Sequence, residues 1–126
     1  MSLNKRSESA KLGQLGEDLV AKYLRQQGAI IVKRNWKDRF GEIDVIAEDK
    51  QHIIFVEVKT RTEGALVSGV EAVDRRKAER IRKTALSFVR RLQMELTPRF
   101  DVAEVTVFSK EDGSVGYKLN YIISAF

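Results

Sequence analysis

The sequence predicts an α/β fold in which a mixed five-stranded sheet is flanked by two long helices. Three observations carry this. Two segments, near residues 9–27 and 70–95, repeat apolar residues at helical spacing. Between them lie three short β-rich runs, and after the second helical segment come two more, joined by the strong turn signal Glu111-Asp112-Gly113-Ser114. A helix between the third and fourth strands demands a crossover, expected to be right-handed, so those two strands should pair in parallel within an otherwise antiparallel sheet.

The first helix is expected over Ser9–Gln27. Leu12, Leu15, Leu19, Val20, Tyr23 and Leu24 form its apolar stripe, with Gly16 on the same side. Ser7 or Ser9 suits its start and Gly28 its end. Gly13 and Gly16 leave room for close approach by another backbone or by a substrate. Ala29–Trp36 reads as a strand and Lys37–Gly41 as a turn. Residues 41–61 read as a hairpin whose turn centres on Lys50-Gln51, and Thr60–Gly69 as a loop. The second helix is expected over Val70–Glu95, ended by Pro98, the only proline. Arg99–Ser109 and Tyr117–Ser124 complete the sheet.

Composition narrows the function. The chain has 126 residues and 43% hydrophobic content, the size of one domain with a usable core. We find no internal boundary, so residues 1–126 read as a single domain. Cysteine is absent and histidine occurs once, at His52. Disulfides, thiolate metal sites and most histidine chemistry are thereby excluded. No apolar run could span a bilayer and the first ten residues carry no secretory leader, so the expectation is a cytoplasmic protein with no membrane partner. The net charge of +5 is localised. Residues 75–91 hold eight basic side chains and one acidic one, a net of +7 that leaves −2 for the remainder.

The hairpin carries the chemistry. Period-two alternation places Glu42, Asp44 and Ile46 on one face of its first strand, and Phe55, Glu57 and Lys59 on one face of its second. Ile43, Val45, Ala47 and Ile54, Val56, Val58 form the wholly apolar opposite faces. With the turn at Lys50-Gln51, Asp44 falls opposite Glu57 and Glu42 opposite Lys59. Two carboxylates about 5 Å apart can share one cation, and a buried carboxylate needs such a partner. A register shifted by one residue would send them to opposite faces. On an ordinary half-solvated strand the same alternation is merely polar, so the reading depends on that parity.

From these residues the expectation is metal-dependent phosphodiester hydrolysis. Asp44 and Glu57 would ligate Mg²⁺, a cation that prefers oxygen ligands and keeps several waters, with Mn²⁺ able to substitute. The Val58 backbone carbonyl is a further oxygen donor. Lys59 would hold the attacking water and stabilise developing negative charge. Glu17, from the first helix, would act as an outer or second-metal carboxylate, and Glu42 would orient Lys59 or a bound water.

Asp44 followed by Glu57-Val58-Lys59, preceded by a helix bearing Glu17, resembles the PD-(D/E)xK nuclease superfamily. More narrowly, the chain resembles the bacterial YraN family of predicted endonucleases. The shared pattern runs through Gly16-Glu17, Asn35-Trp36, Gly41–Asp44, Phe55–Lys59, Arg61, Lys77, Arg99-Phe100-Asp101 and Ala125-Phe126. The resemblance implies a restriction-endonuclease-like core, similar to archaeal Holliday junction resolvases, with Asp44, Glu57 and Lys59 as the active set and Glu17 as an auxiliary acid. Ile43 stands where the superfamily's name-giving proline would be, a position that carries no chemistry.

The expected partner is DNA, with RNA an open alternative. The run Arg75, Arg76, Lys77, Arg80 and Lys83 is the best candidate for backbone contact, and Arg61 is either a phosphate contact or a solvated loop arginine. A non-cleaving nucleic-acid-binding module is the competing reading, although binding alone has no use for clustered carboxylates that repel phosphate. Trp36 is expected to be a packing residue, and Asp101 a structural ion-pair partner. Symmetric cutting of a junction would require a homodimer.

Overall fold

The computed structural model describes residues 2–64, 74–92 and 95–126, with side chains described from Ala10 onward. Seven elements follow in the expected order: α1 (Ser2–Gln26), β1 (Ile30–Asp38), β2 (Gly41–Glu48), β3 (His52–Thr62), α2 (Arg75–Leu92), β4 (Thr97–Ser109) and β5 (Val115–Ile122). The sheet order is β1-β2-β3-β4-β5. All neighbours are antiparallel except β3 and β4, which pair in parallel across the α2 connection. The mixed sheet with two helices is therefore the one the sequence predicts.

Each helix covers one face. Val20 and Leu24 of α1 pack with Val45, Ala47, Ile54, Val56, Ala103 and Val105. On the other side Ile81, Ala85 and Phe88 of α2 pack with Ile43, Ile46, Ile53 and Phe55. Trp36 stands edge-on to Phe88 at 5.2 Å between ring centroids, a packing role as expected. Phe55 stacks on Phe100, which in turn meets Phe126. The last residue of the chain is thus part of the α2-side core.

Several boundaries differ from expectation. Helix α1 is already running at Ser2, so neither Ser7 nor Ser9 caps it. Residues 2–9 contain no glycine or proline to stop a helix that the downstream stripe anchors. Leu15 lies at the border of that stripe and is exposed. Strand β1 continues through Asp38, because the reversal needs only Arg39 and Phe40 once the Asp38 carboxylate accepts from the Phe40 and Gly41 amides. Thr60–Thr62 extend β3 rather than opening a loop, since β4 offers a full parallel ladder as far as Thr62 opposite Val107. Arg61 is accordingly a strand residue facing Thr106. Pro98 sits near the start of β4, where its missing N–H is tolerated. The expected helix positions 70–73 and 93–94, and residues 65–69 of the expected 60–69 loop, lie outside the described residues.

Asp101 is fully buried in β4 and saturated with donors. It accepts from the Arg99 guanidinium at 2.8 Å, from the Tyr121 hydroxyl at 2.6 Å and from the Ser124 amide at 3.0 Å. Burial, reinforced by that carboxylate, pushes the Tyr121 phenol well above its ordinary value. Asp101 is therefore the structural ion-pair residue expected of it, tying the end of the chain to the sheet. Asp101→Ala strands a half-buried guanidinium and a half-buried phenol. The expected cost is about 3–5 kcal/mol of unfolding free energy, read from urea denaturation; a loss under about 1 kcal/mol would contradict this role.

Candidate functional site

The hairpin turn is held by Asp49, whose carboxylate accepts from the Gln51 and His52 amides. Those bonds, Gln51 first, hold Asp49 below the ordinary carboxylate range. His52 follows that turn directly as the first residue of β3. From this turn the strands pair Glu48–Ile53, Ala47–Ile54, Ile46–Phe55 and Val45–Val56. The parity is the one that brings Asp44 and Glu57 to the same side.

The ladder between β2 and β3 ends at Val45–Val56. At the next step the Asp44 carboxylate itself accepts from the Val58 amide, at 2.8 Å. A side chain occupies the place of a backbone carbonyl, and the strands part there. Glu42 consequently has no cross-strand pairing with Lys59, contrary to the expectation from simple alternation.

A second irregularity lies on the other side of β2. Arg34 pairs with Val45 and Trp36 with Ile43. Residues two apart should share a face. Yet Arg34 reaches α1, 2.8 Å from Asp18, and Val45 packs beneath α1, whereas Trp36 and Ile43 pack beneath α2. The pleat reverses between those pairs, at Asn35 and Asp44. Asn35 has φ of 52°, a left-handed conformation that asparagine tolerates better than most residues. This is why Ile43 joins the α2-side core instead of lying beside Val45 and Ala47, and it places Asp44 at a kink. Such kinks commonly re-aim a side chain at a site.

Beside that kink is a cavity of about 220 Å³ lined by Glu42, Asp44 and Glu57 from the hairpin, Phe40 from the β1–β2 turn, and Lys77 and Arg80 from α2. Glu57 is buried. Its Oε1 lies 2.5 Å from the Lys77 ammonium and 3.5 Å from that of Lys59. Asp44 is pushed up to about 7, first by burial, then by the negative charges of Glu57, Glu17 and Glu42, against the Val58 amide bond. The two ammonium groups divide differently. Burial and the adjacent Lys77 push Lys59 below the ordinary lysine value. Burial opposes the charge on Lys77 as well, but its contact with Glu57 prevails and Lys77 is raised.

Glu17 enters from the α1 side. Gly16 makes this possible: a Cβ there would overlap the Thr60 side chain, so only glycine lets α1 close onto β3 at this level. Gly13 has no such neighbour. Glu17 shares a second cavity with Val58 and Lys59. Its Oε1 is buried without a hydrogen-bond partner, and the Arg34 guanidinium stands 3.7 Å away.

The structure thus brings together Asp44, Glu57, Lys59, Glu17 and Glu42. It also draws in Lys77, which the sequence assigns to the basic surface of α2. Its position near the border of the apolar arc is the signal that it faces inward. Arg80 is exposed but lines the acidic cavity, whereas Arg75, Arg76 and Lys83 remain on the exposed side of α2 away from it. Asn35 and Gly16 are the positioning residues, one by its backbone and one by its lack of a side chain. Among the described residues no three acidic or imidazole groups form a ready-made metal cage.

Fold and site together define an α/β protein with one helix on each face of a mixed sheet and a partly buried acid–lysine cluster where the central hairpin opens. The profile of a family described as "Uncharacterised protein family UPF0102" matches residues 16–105, a span holding every residue of that cluster. The chain belongs to this family. It is 42% identical over 122 residues to a UPF0102 protein of Syntrophomonas wolfei, covering 92% of this chain and 97% of that one. A UPF0102 protein of Parafrankia sp. is 44% identical over 111 residues, covering 85% and 90%. One from Caldanaerobacter subterraneus is 37% identical over 123 residues, covering 97% and 99%. Among the described residues no helix is long and apolar enough to cross a membrane.

Proposed function

We propose that the protein is a metal-dependent nuclease of the PD-(D/E)xK type that hydrolyses phosphodiester bonds in DNA. The observation that carries this reading is the convergence of buried Glu57 and half-buried Asp44 with two half-buried lysine ammonium groups at the point where the hairpin ladder opens. A binding surface for a polyanion gains nothing from carboxylates; a cation-assisted hydrolase requires them.

The donor set suits Mg²⁺. Burial, and then the neighbouring carboxylates, push Asp44 up to about 7, and Glu17 keeps a buried oxygen without a hydrogen-bond donor. Mg²⁺ typically takes only one or two carboxylates and keeps its waters, so a three-ligand cage is not needed. When bound, the ion would supply an acidified water and neutralise charge on the phosphate. Asp44 and Glu57 would hold it, and Glu17 and Glu42 would add negative potential around it. The Val58 amide orients the Asp44 carboxylate. Lys59, with its lowered proton affinity, donates to the attacked phosphate or to the water beside it. Lys77 holds the Glu57 carboxylate that would ligate the cation.

Cation binding is the first test. Titration calorimetry with Mn²⁺ should show binding to the wild-type chain and at least about tenfold weaker binding to Glu57→Gln. Equal affinities would remove Glu57 from the ligand set.

A further inference from the structure

We propose a second nucleic-acid site: a basic cleft on the far side of Phe40 from the acidic cavity, which grips the phosphate backbone of the DNA. The inference rests on the nuclease reading for the identity of the polyanion, and on independent residues for the site.

The cleft encloses about 860 Å³ between the β1–β2 turn and the middle and C-terminal turns of α2. Lys37 comes from the end of β1, Arg39 from the turn, and Lys83, Arg90 and Arg91 from the helix. Asp38 is the one carboxylate in its lining, and its Oδ1 is committed to the Phe40 and Gly41 amides. Those two bonds fix the turn that presents Arg39, and Lys37 is held by its strand pairing with Glu42. Phe40 lines both cavities and forms the ridge between them. The Arg39 guanidinium lies 4.8 Å from the centre of its ring.

The acidic cavity alone repels phosphate. A polyanion must be held from outside it, close enough for one phosphate to reach Asp44 and Glu57. Exposed cations immediately beyond the shared ridge meet that need, and they converge from two elements rather than lining one solvated helix face. Arg75 and Arg76, at the opposite end of α2, are not part of this lining. The principal grip therefore lies in the cleft, and the first turn of α2 is secondary. Phosphate neutralisation by such side chains gives salt-dependent binding with little preference for sequence.

The test is fluorescence anisotropy of labelled duplex and four-way-junction DNA with the full chain in a chelator, over a salt series. Lys37→Glu/Lys83→Glu should lower affinity at least about tenfold and shrink the slope of log affinity against log salt by about 2. Arg75→Glu/Arg76→Glu should lower it less. The neutral pair Lys37→Gln/Lys83→Gln should fall in between with an unchanged melting temperature. Arg91 is left in place because its guanidinium lies over Trp36. The cleft is overturned if the Lys37/Lys83 reversal binds as wild type, if the Arg75/Arg76 reversal is the more damaging, or if the wild-type chain does not bind DNA. Binding through the cleft with no divalent-dependent cleavage would instead overturn the nuclease reading and leave the cleft standing.

Discussion

Lys59→Ala is expected to lower the rate of cleavage by at least about a hundredfold, the usual consequence of removing one preorganised donor from a hydrolytic site, while DNA affinity changes less than about threefold. The separation follows from where Lys59 stands. Its ammonium is 3.5 Å from Glu57 and shares the acidic neighbourhood, whereas the exposed arginines and lysines proposed to meet the backbone lie on α2, the end of β1 and the β1–β2 turn. Lys59 also lies beside Lys77, and burial together with that neighbour weakens its hold on its proton. A general electrostatic role would lower affinity and rate in step. Single-turnover kinetics beside anisotropy on the same substrate separate the two cases. Loss of affinity in proportion to rate would remove Lys59 from the chemistry.

Asp44→Asn is expected to abolish cleavage and, in the absence of divalent cation, to stabilise the fold at alkaline pH. Asp44 is pushed up from 3.8 to about 7 by burial and by its acidic neighbours. The folded chain therefore holds a proton that the unfolded chain releases near pH 4. Stability linked to this group is fully present below about pH 4 and is lost as the pH rises through about 7. Asparagine carries no such charge. At about pH 8 the variant should exceed wild type by about 2–4 kcal/mol, a rise of about 5–15 °C in melting temperature for a chain of this size. At about pH 4 the two should coincide. Mn²⁺ should raise the melting temperature of wild type at pH 8 and leave the Asp44→Asn protein nearly unmoved, because the ion supplies the missing counter-charge only where the carboxylate exists. An Asp44→Asn protein less stable than wild type at every pH would mean that Asp44 is a structural hydrogen-bond acceptor for Val58 and nothing more.

Much of the architecture was legible because the determinants are local. The turn at Lys50-Gln51 set the parity that joins Asp44 to Glu57, and the long helix between β3 and β4 required their parallel pairing. Asp101 read correctly as structural because flanking Phe100 and Val102 imply burial. What stayed hidden depends on tertiary contact. Alternation assumes an unbroken pleat, and it fails where Asn35 turns left-handed and the Asp44 side chain replaces a ladder bond. Lys77 reads as one cation in a basic run until α2 is laid against the sheet and its ammonium meets Glu57. The basic cleft joins Lys37 to Lys83, residues from separate elements that no periodicity in one segment relates.

The most direct measurement is cleavage of a labelled panel (duplex, single strand, flap, four-way junction, and an RNA strand) by wild type and Glu57→Gln in parallel, with Mg²⁺ or Mn²⁺ and with chelator. The prediction is that fragments appear with wild type and a divalent cation, and vanish with chelator or with Glu57→Gln. Fragments formed equally by both proteins, or none on any substrate from wild-type chain shown by calorimetry to hold the cation, would contradict it.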